Sequence, residues 1–78
     1  MTAAEMRTDV NATINEMVER VGGNESRYAA KVREEMSGAL AVIDRYEQRI
    51  VGEKFAIEKI ADATEFTNRI INRVLSSK

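Results

Sequence analysis

The sequence predicts an all-α fold, in which an N-terminal amphipathic helix precedes a long antiparallel helical hairpin. Three observations support this prediction. The 78 residues contain no proline, the residue that interrupts helices most strongly. Apolar residues recur every three or four positions in three successive segments, which is the spacing of one helix face. Glycines lie at the two junctions between these segments, at Gly22-Gly23 and at Gly52.

The first segment predicts a helix over residues 3–21. Its apolar stripe is Met6, Val10, Ile14, Met17 and Val21. Gly22-Gly23 follows at once, and glycine readily adopts the left-handed conformation that ends helices. Asn24 is then expected to cap the next helix through its side chain.

The second segment predicts a helix over residues 25–50. Its stripe is Tyr28, Val32, Met36, Leu40, Ile43, Tyr46 and Ile50. Gly38 interrupts the stripe, and a mid-helix glycine costs roughly 1 kcal/mol relative to alanine. Either another helix approaches closely at Gly38, or the glycine is simply tolerated.

The third segment predicts a helix over residues 54–76 with a broad apolar face. A broad face indicates contact with more than one neighbouring helix. The junction before this segment has two possible structures: a tight turn at Gly52, or one continuous helix over residues 25–76. The turn is favoured, because Glu53 and Lys54 occupy the position where the apolar stripe should recur.

Size and charge narrow the function classes. A single helical domain over residues 1–78 has a thin core, so we expect a homo-oligomer. The chain carries 12 basic and 13 acidic residues, and this balance argues against binding to duplex nucleic acid. The N-terminus lacks the apolar stretch of a signal peptide, and no apolar run is long enough to span a membrane. A cytoplasmic location is the simplest expectation.

The chain contains neither histidine nor cysteine, the usual metal ligands, proton shuttles and strong nucleophiles. Serine and threonine therefore have no histidine to activate them. Acidic pairs such as Glu34-Glu35 lie at helix surface positions and diverge by about 100° around the axis. We expect neither an enzyme nor a bound metal or cofactor.

Two pairs of arginines are candidates for binding an anion. Arg69 and Arg73 are four residues apart, as are Arg45 and Arg49. Like charges at this spacing repel unless an anion lies between them. Asn68, Phe66 and Tyr46 lie beside these pairs and add an amide and two aromatic rings. Guanidinium, amide and ring together suit a phosphate-bearing base.

A structural interpretation of the same basic residues stands beside this one. In a hairpin that turns near Gly52, Arg69 comes level with Glu35 and gains a carboxylate partner. Lys59 comes level with Arg45 in the same register.

Residues 53–73 read EKFAIEKIADATEFTNRIINR. This stretch resembles the second helix of a phage helical-hairpin family, the anti-CBASS sponges that sequester cyclic oligonucleotides made by bacterial immune systems. The matching positions are Phe55-Ala56-Ile57, Lys59, Asp62, Ala63, Phe66, Asn68 and Arg73.

The resemblance implies a homo-oligomer that binds cyclic oligonucleotides between protomers and performs no reaction. Arg69, Arg73 and Lys59 would then face phosphates, and Asn68 would read a base edge. Phe66 or Tyr46 would stack on a base.

A second functional hypothesis is a small helical interaction module, such as a scaffold, chaperone or inhibitor. Its apolar stripe would dock a protein partner. Met6, Met17 and Met36 on the stripes would suit such an adaptable face, although methionine at these positions is also typical of a core.

Overall fold

The computed structural model describes residues 1–77 and shows three α-helices: α1 (Ala3–Arg20), α2 (Ala29–Glu47) and α3 (Glu53–Ser76). No strand is present in this part of the chain. The predicted all-α class is therefore confirmed, and a turn separates α2 from α3 rather than one continuous helix.

A capping box starts α1. The hydroxyl of Thr2 accepts the backbone N–H of Glu5 at 3.1 Å, and the Glu5 carboxylate accepts the backbone N–H of Thr2 at 2.9 Å. These bonds satisfy two amides that the first turn of a helix leaves without partners. The hydrogen bond from the Thr2 backbone also lowers the pKa of Glu5, because it favours the charged carboxylate.

Two glycines end α1. Gly22 and Gly23 have φ angles of 115° and 88°, in the left-handed region. The amide of Gly23 donates to the carbonyl of Val18 at 2.9 Å, and that of Gly22 donates to Glu19 at 3.2 Å. This pair of bonds is the Schellman motif, which requires a left-handed residue just after the helix.

The start of α2 differs from the prediction. The helix begins at Ala29, because residues 23–28 form two turns instead. Backbone hydrogen bonds of Ser26 stabilise these turns. The amide of Ser26 donates to Gly23 and its carbonyl accepts from Ala29, at 3.0 and 3.1 Å. Asn24 does not cap α2, so that expectation is wrong. Its side-chain oxygen accepts a hydrogen bond from Arg33 instead.

The turn between α2 and α3 depends on Arg49 rather than on Gly52. Arg49 has a φ of 62°, and the amide of Ile50 donates to the carbonyl of Arg45 at 2.8 Å. This is again the Schellman arrangement, with arginine at the position that usually holds glycine. Gly52 is extended and caps the N-terminus of α3.

The core lies where α2 packs between the other two helices. α1 runs antiparallel to α2, and α3 returns alongside α1. On α2 the side chains of Met36, Ala39 and Ile43 have no exposed surface. From α3, Ala56 and Ile71 are equally buried against them. The apolar stripes read from the sequence therefore meet in one seam, with one correction: Ile50 lies beyond the end of α2 and is 65% exposed.

Polar contacts hold α1 at both ends. Arg7 forms ion pairs of 2.8 and 2.7 Å with Asp44 and Glu47 at the end of α2. Arg20 donates to the side-chain oxygens of Asn68 and Asn72 on α3, at 3.0 and 3.2 Å. These contacts set the position of α1 along the other two helices.

None of the helices in residues 1–77 is both long enough and apolar enough to cross a bilayer.

Replacement of Arg49 by glycine should stabilise the protein by roughly 1 kcal/mol. A non-glycine residue in the left-handed region pays about that amount, and glycine does not. The matched control is Arg45→Gly, four residues earlier inside α2. There the same substitution should destabilise by about 1 kcal/mol, since glycine is a poor helix former. Urea unfolding of both variants measures the two effects, and the same sign in both would contradict the turn described above.

The contribution of Arg7 to stability should depend on pH. Hydrogen bonding from Arg7 lowers the pKa of Glu47 in the folded protein. Glu47 therefore contributes stability above its unfolded pKa of about 4.3, and this stability disappears as the pH falls through the lowered folded value. Arg7→Gln should be less stable than the parent at about pH 7 and equal to it near pH 2.

Arg27→Gln is the control for this comparison, because Arg27 contacts the hydroxyl and ring of Tyr28 and forms no ion pair within residues 1–77. Its effect on the thermal midpoint should be the same at both pH values. A pH-independent effect of Arg7→Gln would contradict the assigned ion pair.

Candidate functional site

Four of the six predicted site residues share one exposed face of α3. At 100° per residue, six side chains lie within about 40° of a common direction on this helix. They are Phe55, Lys59, Asp62, Phe66, Arg69 and Arg73, and we call them the α3 outer face. All six are exposed, and the two phenyl rings keep 45% and 52% of their surface in solvent.

Arg69 on the outer face pairs locally rather than across the hairpin. Its guanidinium forms an ion pair with Glu65, one turn earlier on α3. The expected partner Glu35 pairs instead with Lys31 on α2, at 2.8 Å. The expectation of an Arg69–Glu35 pair is therefore wrong, because each side chain finds an opposite charge four residues away on its own helix.

The Arg69 side chain is 68% exposed, and exposed ion pairs of this kind contribute little. Arg73 forms no ion pair within residues 1–77. Both guanidinium groups are therefore accessible to an anion from solution.

Asn68 does not lie on the outer face. It is rotated by about 140° around α3, toward α1. There its side-chain oxygen accepts the hydrogen bond from Arg20. The sequence did not indicate this role of Arg20, because only the packing of α1 against α3 brings its guanidinium group to Asn68.

Tyr46 also lies away from the outer face. Its ring packs against the core, and its hydroxyl donates to the backbone carbonyl of Met1 at 2.8 Å. The same hydroxyl is 3.4 Å from the carboxylate of Glu53. Burial and, second, this neighbouring negative charge raise the pKa of Tyr46. Tyr46 therefore joins the N-terminus to the turn before α3.

A groove runs beside the outer face, between α2 and α3. Gly38, Val42, Arg45, Phe55, Lys59 and Ala63 line it, and its volume is about 200 Å³. We call it the α2–α3 groove. The expectation that Lys59 comes level with Arg45 is confirmed, since both line this recess. The ammonium nitrogen of Lys59 lies 5.4 Å from the ring centroid of Phe55.

Gly38 opens the groove rather than admitting another helix. A Cβ atom added at Gly38 would meet no atom within 4 Å. The alternative in which another helix of this chain approaches closely at Gly38 is therefore wrong. The glycine leaves empty space above α2. Of the six residues that line the groove, Lys59 is the one that belongs to the predicted site. The sequence indicates Arg45 through its spacing from Arg49 and its register beside Lys59, whereas it gives no signal that Gly38 lines a site.

A second recess, between α1 and α3, has different chemistry. Met1, Met6, Asp9, Val10, Ile57 and Ile60 line its volume of about 190 Å³. The side chains of its lining are almost entirely apolar, and the one charged side chain, that of Asp9, is acidic. The terminal ammonium of Met1 is paired with Glu53 at 3.3 Å. The recess therefore offers no cationic side chain to a phosphate.

Within residues 1–77, no three acidic side chains converge in a way that could hold a metal ion. Apart from Asp62, the charged and aromatic groups gathered on the outer face and in the groove are cations and aromatic rings. These groups bind anions and flat molecules.

Comparison of the chain with family models, with curated proteins and with solved structures finds no match. Its function must therefore be inferred from its own residues.

Replacement of Gly38 by alanine should stabilise the protein by about 0.5–1 kcal/mol, because alanine favours the helix and its methyl group enters open space. Gly22→Ala is the matched control. It should be destabilising, since Gly22 has a φ of 115° and its Cβ would approach Ser26 at 3.4 Å. Chemical denaturation of the two variants tests both signs, and a loss of stability in Gly38→Ala would rule out the open space.

Proposed function

We propose that this protein is a non-enzymatic binding protein that captures cyclic oligonucleotides, as the phage anti-CBASS sponges do. The observation that carries the proposal is the α3 outer face, which gathers Lys59, Phe66, Arg69 and Arg73 on one exposed surface. The resemblance over residues 53–73 supplies the ligand class. The action would take place in the cytoplasm, that of the bacterial host if the chain is phage-encoded.

The spacing of the cations supports capture of a ligand with several phosphates. Lys59 and Arg73 are separated by about 21 Å along α3, at 1.5 Å per residue, and Arg69 lies between them. Arg69 and Arg73 are one turn apart and repel each other, and the exposed ion pair of Arg69 with Glu65 offsets only part of this repulsion. A phosphate between them relieves this repulsion and accepts charge-assisted hydrogen bonds from both.

The aromatic ring on the same face supports recognition of bases. Phe66 lies between Lys59 and Arg69 along the helix, and half of its surface is exposed. Stacking of a base on such a ring contributes about 1–3 kcal/mol. A phenyl ring flanked by cations therefore fits a base whose phosphates lie on either side.

The shape of the outer face favours a site between two copies of the chain. Ligand sites bury about 70–90% of a small ligand's surface, and the convex side of one helix cannot enclose that much. A second copy would supply the other wall and would also cover Phe55 and Phe66. We therefore propose a homo-oligomer with intersubunit sites, needing no cofactor.

The alternative function is an interaction module that docks a protein partner. The methionines expected to form its docking face are in the core, since Met6, Met17 and Met36 are at most 2% exposed. The exposed apolar side chains left for a protein partner include Ile50, Ile57 and Leu75 as well as the two rings of the outer face. The cations around those rings favour the anionic ligand.

Thermal melting of the purified protein against a panel of cyclic di- and trinucleotides tests the proposal. A ligand at about 100 times its Kd adds roughly 2.7 kcal/mol of stability. Each kcal/mol raises the midpoint of a domain this small by about 4–8 °C. At least one ligand should therefore raise the midpoint by more than about 10 °C.

Arg69→Ala and Arg73→Ala should each remove this shift while the helical content stays unchanged. The matched variant is Asp62→Asn, which removes the one carboxylate of the outer face. It should increase affinity, because Asp62 repels a phosphate bound nearby. No shift across the panel, or full shifts in both arginine variants, would reject the proposed site.

A further inference from the structure

We infer that the α2–α3 groove is a subsite for one nucleotide unit. In this subsite Arg45 and Lys59 hold the phosphate, and the base lies in the groove against Phe55. The inference deepens the proposed function and rests on it for the identity of the ligand as a nucleotide. It adds Arg45 and Gly38, from the other helix, to a site so far confined to α3.

The charges lining the groove carry the first part of the argument. Arg45 comes from α2 and Lys59 from α3, so the hairpin brings two positive charges to one recess. None of the six lining residues is acidic, and neither cation forms an ion pair within residues 1–77. Folding therefore gathers like charges that only an anion from outside the groove can neutralise. The planar guanidinium of Arg45 fits two phosphate oxygens at once.

The floor of the groove carries the second part. Gly38, Val42 and Ala63 present little more than backbone and methyl groups. The open space above Gly38 gives the recess its depth. An apolar floor beside two cations suits a ligand that joins a flat, weakly polar body to a negative charge. A nucleotide has this composition.

Phe55 supplies the wall on which the base stacks. Phe55 is 45% exposed, so part of its surface is open to a ligand. Lys59 lies over the same ring at 5.4 Å, which places the cation and the aromatic surface within one nucleotide's reach. Stacking on a phenyl ring discriminates weakly among bases, because every base has a flat face.

Asp62 indicates on which side of Lys59 the phosphate lies. It is on the outer face, about 60° around α3 from Lys59 and away from α2. A phosphate on that side would meet the Asp62 carboxylate. A phosphate on the groove side meets Arg45 instead, so the electrostatic preference is for the groove.

The size of the groove sets how much of a ligand it holds. Sites for whole small ligands usually measure about 300–1,000 Å³. The groove, at about 200 Å³, accommodates one nucleotide unit and not a complete cyclic dinucleotide. The remaining units of a cyclic ligand must lie on the outer face beyond Lys59 or against a second copy of the chain.

The test uses the full-length protein labelled with ¹⁵N and titrated with adenosine 5′-monophosphate. Inorganic phosphate and adenosine are titrated separately, so that the contributions of charge and base can be told apart. The mononucleotide should shift the amide resonances of Gly38, Val42 and Ala63 in a saturable manner. Each of its two parts alone should bind more weakly.

Two variants test the groove from different directions. Gly38→Leu fills it without changing any charge, and Arg45→Gln removes one cation and leaves the shape. Each should weaken mononucleotide binding by about 10- to 100-fold, since a hydrogen bond to a charged group is lost or blocked. Gly38→Ala controls for the helix effect, and Arg33→Gln, on another face of α2, controls for net charge. Melting curves confirm that each variant is folded.

The same variants are then tested with the cyclic panel, which separates the two proposals. If a cyclic ligand binds the parent, Gly38→Leu and Arg45→Gln equally well, the proposed function stands and the groove subsite is overturned. If no cyclic ligand binds but the mononucleotide saturates the groove and both variants weaken it, the subsite stands and the sponge function is rejected. If the mononucleotide shifts none of the groove amides, the subsite is overturned.

Discussion

Burial of α2 between α1 and α3 is the interaction on which the rest of this structure depends. Met36, Ala39 and Ile43 of α2 have no exposed surface, and apolar side chains from both neighbours cover them. A chain of 78 residues buries a smaller share of its surface than a larger domain does. Nearly every stripe residue of α1 and α2 is therefore used in this one seam, and little apolar surface remains on those helices for another purpose.

The third helix is the exception, because its apolar residues extend further around the axis than α1 and α2 cover. Ala56 and Ile71 are fully buried, whereas Phe55 and Phe66 stay exposed on the opposite flank. The broad face predicted contact with more than one neighbour, and α3 does contact both other helices. These contacts leave the two phenyl rings exposed, together with Ile57 and Leu75. The position of the rings beside Lys59 and the arginines is the reason for proposing a ligand and a second copy there.

Polar contacts made by α1 and the residues before it decide which side chains remain free to bind the proposed ligand. Arg20 engages Asn68, and the carbonyl of Met1 engages Tyr46. Asn68 and Tyr46 both belong to the predicted site, yet in the structure their polar side-chain atoms bond to other parts of the fold. The proposed recognition on a single copy therefore rests on the cations and rings of the outer face and the groove. The proposal includes Arg45 because the hairpin brings α2 alongside Lys59.

The sequence alone determined the three helical segments and most of their buried stripes, because the spacing of apolar residues is a local property that follows the helical repeat. It favoured the hairpin over one continuous helix, and the structure decided between the two. It also determined that Lys59, Phe66, Arg69 and Arg73 share a face, since their spacing follows the helical repeat. Only the tertiary structure decided that Arg20 reaches Asn68, that the Tyr46 hydroxyl reaches the carbonyl of Met1, and that Gly38 and Arg45 line a groove with Lys59. These features depend on how the helices pack against one another, and this packing is set by contacts between residues far apart in the chain.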